Sequence, residues 1–315
     1  MRKKVKILVL GSMLYDCVTW GDRLPRKGET VVGYRNGFFT GGKGANQAVQ
    51  AARMGADVYM IGLVGKDAIG EILITALKKE GINTKHITVT DKSATGTCCI
   101  HVDKNGDNAI MTAPQANLDI SVKSIDEALD DIQDYDIFLT QLEVNINTTV
   151  YAIRKIKERG KIIVFNPAPA HKIPLESFKY ADYISLNQTE TEFYSGVLPI
   201  DQKTCVDAAK KLKEIGMKNI LITLGSEGVF YSDKTSSFIL PAYKVLAVDA
   251  TAAGDAFNAA FTTALGGGMG AEEALLYGNA AGAFAASKEG AQSSLGYYDD
   301  IENLKKSAII DKIIY

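Results

Sequence analysis

The chain has 315 residues, 46% of them hydrophobic and 23% charged, with a formal net charge of −2. A chain this long buries a large core without covalent staples, and its near-neutral balance gives no basic field for nucleic acid. The four cysteines (Cys17, Cys98, Cys99 and Cys205) show neither zinc spacing nor a disulfide framework, and three histidines make a histidine-bound metal unexpected.

In chain order, Met1-Arg2-Lys3-Lys4 is basic, but the apolar run behind it stops at Gly11, too short for a signal peptide or a membrane span. A cytoplasmic location and no membrane partner are expected. Val5–Leu10 reads as a buried strand. Leu14–Trp20 and Thr30–Phe39, rich in β-branched and aromatic residues and broken by Gly and Pro, read as strands of a small separate sheet. Asn46–Met54 has helical composition closed by Gly55; Val58–Ile61 reads as a core strand and Ala68–Lys79 as a helix closed by Gly81. Gly96–Val102 and Asn108–Thr112 flank Asn105-Gly106, a strong hairpin signal. With the earlier pair they predict a four-stranded lid, inserted from about 12–20, 30–40 and 96–113.

Beyond residue 120 short apolar runs (Ile137–Thr140, Ile162–Phe165, Tyr183–Leu186, Ile220–Thr223) alternate with amphipathic segments such as Thr148–Arg159 and Thr204–Ile215. That alternation predicts an α/β fold, a three-layer arrangement of a mostly parallel sheet flanked by helices. Phe230–Tyr231 and Phe238–Leu240 suggest a late hairpin, and Ala271–Lys288 an alanine-rich helix. Without repeats or linker tracts, residues 1–315 are read as one domain carrying the lid.

Val248–Asn258 carries the strongest chemical signal. Small residues, Ala252-Ala253-Gly254, stand where a helix begins, with Phe257, Ala260, Phe261, Ala264 and Leu265 on one helical face. The first N–H groups of a helix have no partner inside it and suit an anion such as phosphate. Two readings of Asp255 are open: a helix cap, or a base that takes a proton from a hydroxyl attacking phosphorus. Gly41-Gly42-Lys43-Gly44 opens the Asn46 helix, and its spacing is not that of a P-loop. It is either a plain turn or a place where backbone approaches a ligand. Asn187-Gln188-Thr189-Glu190 follows a strand; Glu190 is either a cap or a carboxylate that orients water on Mg²⁺. Leu224-Gly225-Ser226-Glu227-Gly228 follows another strand end, where ligands collect in open α/β sheets.

Gly41-Gly42-Lys43-Gly44-Ala45-Asn46, Asn166-Pro167-Ala168-Pro169, Asn187–Glu190, Ile222-Thr223-Leu224-Gly225-Ser226 and Asp249–Asp255, in that order, resemble the ribokinase-like (PfkB) sugar kinases over nearly the whole chain. The resemblance implies Asp255 as base, with the N–H groups of Ala252, Ala253, Gly254 and Asp255 as the anion hole. It implies Asp16, Gly42, Lys43, Asn46 and Glu143 around a sugar. Asn187, Thr223, Gly225, Ser226, Gly228 and Asn279 would lie around ATP, and Glu190 near Mg²⁺ through water. Asp249, Thr251, Ala285, Lys288, Gly290 and Ser294 would frame a monovalent cation, K⁺. Three departures stand out. Leu14 replaces the asparagine that bonds the sugar in members acting on ribose, Pro114-Gln115 replaces an Ala-Gly pair, and Ala250 replaces a threonine.

The expected activity is ATP-dependent phosphorylation of a primary hydroxyl of a small sugar, ribose first. Deoxyribose, another pentose or hexose, or a nucleoside are the alternatives. A dinucleotide-dependent oxidoreductase would need Gly-x-Gly-x-x-Gly after an early strand, and Gly11-Ser12-Met13-Leu14 lacks it. A non-catalytic sugar sensor is disfavoured because Asp255, Lys43 and Glu190 are all present. Apolar residues on both faces of the lid strands (Phe38, Phe39, Cys98, Ile100) predict a homodimer formed through the lids.

Overall fold

The computed structural model describes residues 4–314. An apolar run without polar alternation must be covered on both faces, and the first strand is. In β1 (Lys6–Leu10), Ile7 and Val9 enter one core, while Leu8 and Leu10 enter the other.

The chain continues through β2 (Leu14–Trp20), β3 (Arg35–Gly41), α1 (Lys43–Arg53), β4 (Asp57–Gly65), α2 (Ala68–Lys79) and β5 (Asn83–Thr90). Next come β6 (Thr97–Val102), β7 (Asn108–Ala113), α3 (Val122–Asp131), β8 (Ile137–Thr140), α4 (Ile146–Glu158), β9 (Ile162–Phe165) and α5 (Glu176–Tyr180). Then follow β10 (Tyr183–Asn187), α6 (Gln188–Ser195), α7 (Gln202–Glu214), β11 (Asn219–Thr223), β12 (Val229–Ser232) and β13 (Ser237–Leu240). The last elements are α8 (Ala253–Gly266), α9 (Ala271–Ala286), α10 (Tyr298–Ser307) and β14 (Ile313–Ile314).

The large sheet has ten strands in the order β14-β13-β12-β11-β10-β9-β8-β1-β4-β5. The run from β11 to β5 is parallel, and β12, β13 and β14 are added antiparallel at one end. One face packs on α1, α8 and α9 through Val49, Phe257, Phe261 and Leu275. The other packs on α3, α4 and α7 through Ile125, Ile153, Ile156 and Leu212. Each such side chain contributes about 1.5–3 kcal/mol by leaving water. No helix among the described residues is long and apolar enough to cross a membrane.

The small sheet has the order β3-β2-β6-β7, the expected four strands, with β2 and β6 parallel. Register puts Asp16, Phe39, Cys98 and Thr112 in one row and Cys17, Phe38, Cys99 and Met111 in the next, on the opposite face. The first row faces inward, with Cys98 buried, whereas Phe38 and Met111 are exposed.

Several expected boundaries move. The lid strand read over Thr30–Phe39 begins only at Arg35, and residues 30–34 are irregular. The helix read from Asn46 begins at Lys43, because Gly42 turns the chain at φ 90° and a Cβ on Gly44 would lie 2.4 Å from the Gly11 carbonyl carbon. β5 went unread, since its polar and apolar residues give an edge strand little pattern to show.

Candidate active site

Parallel strands deliver their C-terminal ends to one rim, and ligand sites gather there. Here β1, β8, β9, β10 and β11 end beside the N-termini of α1 and α8. Ala252, the residue before α8, has φ 61°, a left-handed conformation that costs a non-glycine residue roughly 1–2 kcal/mol. No side chain caps this helix. The Ala253 N–H turns back to the Ala250 carbonyl at 3.2 Å, so the donors aimed outward in the first turn are those of Gly254 and Asp255.

Asp255 lies in that first turn and is buried. Asn46 Nδ2 donates to its Oδ2 at 3.0 Å, and Gln47 Nε2 to its Oδ1 at 2.9 Å. It therefore does not cap α8. Asn46, expected to bond a sugar hydroxyl, here spends its amide on Asp255 and keeps an unpartnered Oδ1. Asp255 faces a cavity of about 460 Å³ together with Lys43, Asn166, Asn187, Glu190 and Asn258.

Lys43 is partly buried. Burial alone would lower its pKa, but the carboxylates of Asp255, Glu143 and Glu190 outweigh it and hold the ammonium above its ordinary value. Glu190 is a helix cap and also reaches the cavity. In its capping box on α6, its Oε2 accepts the Asn187 N–H at 2.8 Å. Burial raises its carboxyl, against the opposing pull of the Asn187 N–H and Lys43.

Asp16 and Leu14 share the inward face of β2. Burial, and then the charge of Glu143, pushes the Asp16 carboxyl up to about 6. A Cβ on Gly41, which pairs with Leu14, would lie 2.3 Å from Asp16 Oδ2, so the glycine leaves room for this carboxylate. Glu143 Oε2 accepts from Ser12 Oγ at 2.6 Å and from the Lys43 backbone N–H at 2.9 Å. Asp16, Lys43 and Glu143 are thus brought together beneath the lid.

A second cavity of about 540 Å³ adjoins the first through Thr223, Gly225, Ala250 and Gly254. Its walls include Tyr243, Val245, Phe257, Ala283 and Ala286, an apolar slot that suits a flat ring. Ser226, Gly228 and Asn279 line it. Asn279 Nδ2 donates to the Pro241 carbonyl at 2.6 Å, so its amide braces the slot's wall. Gly228, at φ 100°, packs where a Cβ would lie 2.1 Å from the Leu240 oxygen.

Asp249 ties two loops together. Its Oδ1 accepts from the Thr251 N–H at 2.9 Å and Oγ1 at 2.6 Å, and its Oδ2 accepts from the Gly290 N–H at 2.9 Å. The Ala285 carbonyl is taken by the Lys288 N–H, Ser294 Oγ bonds Ala291, and the Lys288 ammonium sits 4.2 Å from the Phe284 ring centroid. Among the described residues no three His, Cys, Asp or Glu side chains gather as a metal cluster.

The pattern described as pfkB family carbohydrate kinase matches residues 4–296. The chain belongs to this family. Within it, the chain is 40% identical over 295 residues to a ribokinase of Haemophilus influenzae, covering 94% of this chain and 96% of that one. It is 33% identical over 302 residues to a deoxyribokinase of Salmonella typhimurium, covering 95% and 97%. Its fold superposes on the structure of Arabidopsis thaliana ribokinase complexed with ribose and ATP at a TM-score of 0.89, with 27% identity, covering 96% and 99%. It is an ATP-dependent carbohydrate kinase of the pfkB family, built on the ribokinase fold.

Sequence reasoning passed over Ser12, Gln47, Gln141 and Asn166 as site residues. Ser12, Gln47 and Gln141 are fully buried and Asn166 nearly so. Their signal was faint: neutral polar residues in or just beyond apolar runs.

Proposed function

We propose that this kinase transfers the γ-phosphoryl group of ATP to the primary hydroxyl of ribose, with Asp255 as the base. One observation carries the reading: a buried carboxylate with both oxygens fixed by amide donors stands at an uncapped helix N-terminus, between a polar cradle and an apolar slot. Asp16, Lys43 and Glu143 bind the sugar hydroxyls, and the slot takes the adenine. Asp255 removes the hydroxyl proton as that oxygen forms its bond to phosphorus, and the bond from phosphorus to the bridging oxygen breaks to release ADP. The Gly254 and Asp255 N–H groups face the charge that builds on the transferred group.

The cavity lining fits Mg²⁺. Lys43 is the one cation among its described lining residues, against the carboxylates of Glu190 and Asp255, so a polyphosphate there needs a further positive charge. Glu190 would hold the ion through water, and the ion would neutralise phosphate oxygens. Asp249, Thr251 and Gly290, joined in one hydrogen-bonded unit with the 285–294 segment, would frame K⁺ and order the loop that leads into α8. The exposed lid face, with Phe38 at 56% and Met111 at 78% exposure, would pair with a second copy.

The reading is tested by Asp255→Asn, which keeps the shape and removes the base. The expected fall in kcat is at least ~100-fold, with ATP affinity little changed. A variant keeping half its activity contradicts the assignment.

A further inference from the structure

Behind Asp255 lies a chain of buried amides. Gln47 is fully buried on α1, and its Nε2 donates to Asp255 Oδ1 at 2.9 Å and to Asn166 Oδ1 at 3.3 Å. Its Oε1 accepts a hydrogen bond from Gln141 Nε2, and Gln141 is also fully buried. Asn166 is fixed in turn, because its Nδ2 donates to the Ser185 carbonyl at 2.9 Å and so leaves Oδ1 facing Gln47. Every end of the Gln47 amide therefore has an assigned partner.

An amide can turn over, exchanging its oxygen for its NH₂ at almost no cost in shape. Turned over, Gln47 would press its oxygen against the oxygens of Asp255 and Asn166. Asp255 and Asn166 oppose that inversion, since each offers Gln47 only an oxygen there, the Asn166 NH₂ being committed to the Ser185 carbonyl. Stability does not account for this arrangement. Burying polar groups costs free energy unless each is paired, and two acceptors here, Asn46 Oδ1 and Gln141 Oε1, remain without partners. An apolar filling of the same shape would avoid that cost.

We propose that Gln47 is a positioning residue for the Asp255 carboxylate, with Asn166 fixing which end of its amide faces Asp255. The inference rests on Asp255 being the base. Gln47 holds one oxygen of Asp255 and Asn46 the other, so the carboxylate cannot rotate, and a free lone pair is kept on the cavity side.

The test is a double-mutant cycle on the full chain, with kcat, KM for ribose and for ATP, and the thermal midpoint measured for each variant. Gln47→Met keeps the length and removes the donor. Its expected kcat is lower by about tenfold, the effect of one lost hydrogen bond to a charged group, with both KM values within about twofold. Asp255→Asn is the second change of the cycle. On that background Gln47→Met should add nothing to the fall in kcat, because the carboxylate it positions is gone. A packing defect independent of Asp255 would instead multiply the two falls and would appear in the thermal midpoint rather than selectively in kcat. An unchanged kcat in Gln47→Met, or multiplying effects in the double variant, overturns the proposal. If Gln47→Met does not fold, Gln47→Leu takes its place, and wild-type kcat there overturns the proposal. Asp255→Asn by itself separates the two ideas: if it stays active the base assignment is wrong, and if it is inactive while Gln47→Met keeps wild-type kcat only the positioning role is wrong.

Discussion

Asp16 offers the sharpest quantitative consequence, because its cost to the fold and its use in the site oppose one another. Its carboxyl is pushed up to about 6 by burial and the Glu143 charge. An unfolded aspartate titrates near ~3.9, so the folded value is raised by about two units, each unit being ~1.4 kcal/mol. A raised acid binds its proton more tightly in the folded state. The ionised form therefore costs stability in full above about pH 6, and the cost is relieved as pH falls from about 6 towards 4. The upper limit is about 3 kcal/mol at pH 7.5, and partial exposure of the side chain reduces it. Asp16→Asn removes the charge and keeps the shape. Urea unfolding at pH 7.5 should find the variant more stable by ~1–3 kcal/mol, and at pH 5 by roughly half as much. The same variant should raise KM for ribose by at least ~10-fold, since an amide is a weaker acceptor for a hydroxyl than a carboxylate. A variant less stable than wild type at pH 7.5, or a gap that stays constant as pH falls, would refute the reasoning.

Other outcomes follow from the same geometry. Leu14 is 5% exposed and on the face of Asp16, and a sugar hydroxyl facing it would have no partner there. Leu14→Asn should therefore shift the kcat/KM ratio of ribose to 2-deoxyribose by about tenfold towards ribose, and an unchanged ratio places Leu14 away from the sugar. At constant ionic strength potassium should raise activity and sodium should do less; equal rates in potassium, sodium and a bulky organic cation would remove the cation site from the account. Light scattering should find a dimer that Met111→Lys converts to monomer, and a wild-type monomer at micromolar concentration would contradict lid pairing.

The sheet was legible because its strands are short, mostly apolar runs between polar segments: Ile137–Thr140 and Ile162–Phe165 occur where their runs place them. The Asn105-Gly106 turn likewise sets the β6–β7 pairing. Residues 30–34 are irregular because aromatic and β-branched content marks a strand only where a partner strand is present, and Val32, 89% exposed, lies outside the paired stretch of β3. At the site, small residues and a carboxylate at a strand-to-helix switch pointed to Asp255. Its supports were hidden, because a glutamine reads the same in solvent as in the core. Gln115 carries a second hidden cost. It has φ 49°, a conformation a glycine adopts freely, at a place where the resemblance leads one to expect glycine.

The central claim is the activity itself, and one measurement addresses it most directly: ADP formation from ATP and Mg²⁺ with ribose, 2-deoxyribose, other pentoses, hexoses and nucleosides, each compared with no acceptor. The account predicts acceptor-dependent ADP formation with the highest kcat/KM for ribose or 2-deoxyribose, and a phosphate on the primary hydroxyl of the product. ADP formation that ignores the acceptor, or that is fastest with a hexose or a nucleoside, would contradict it.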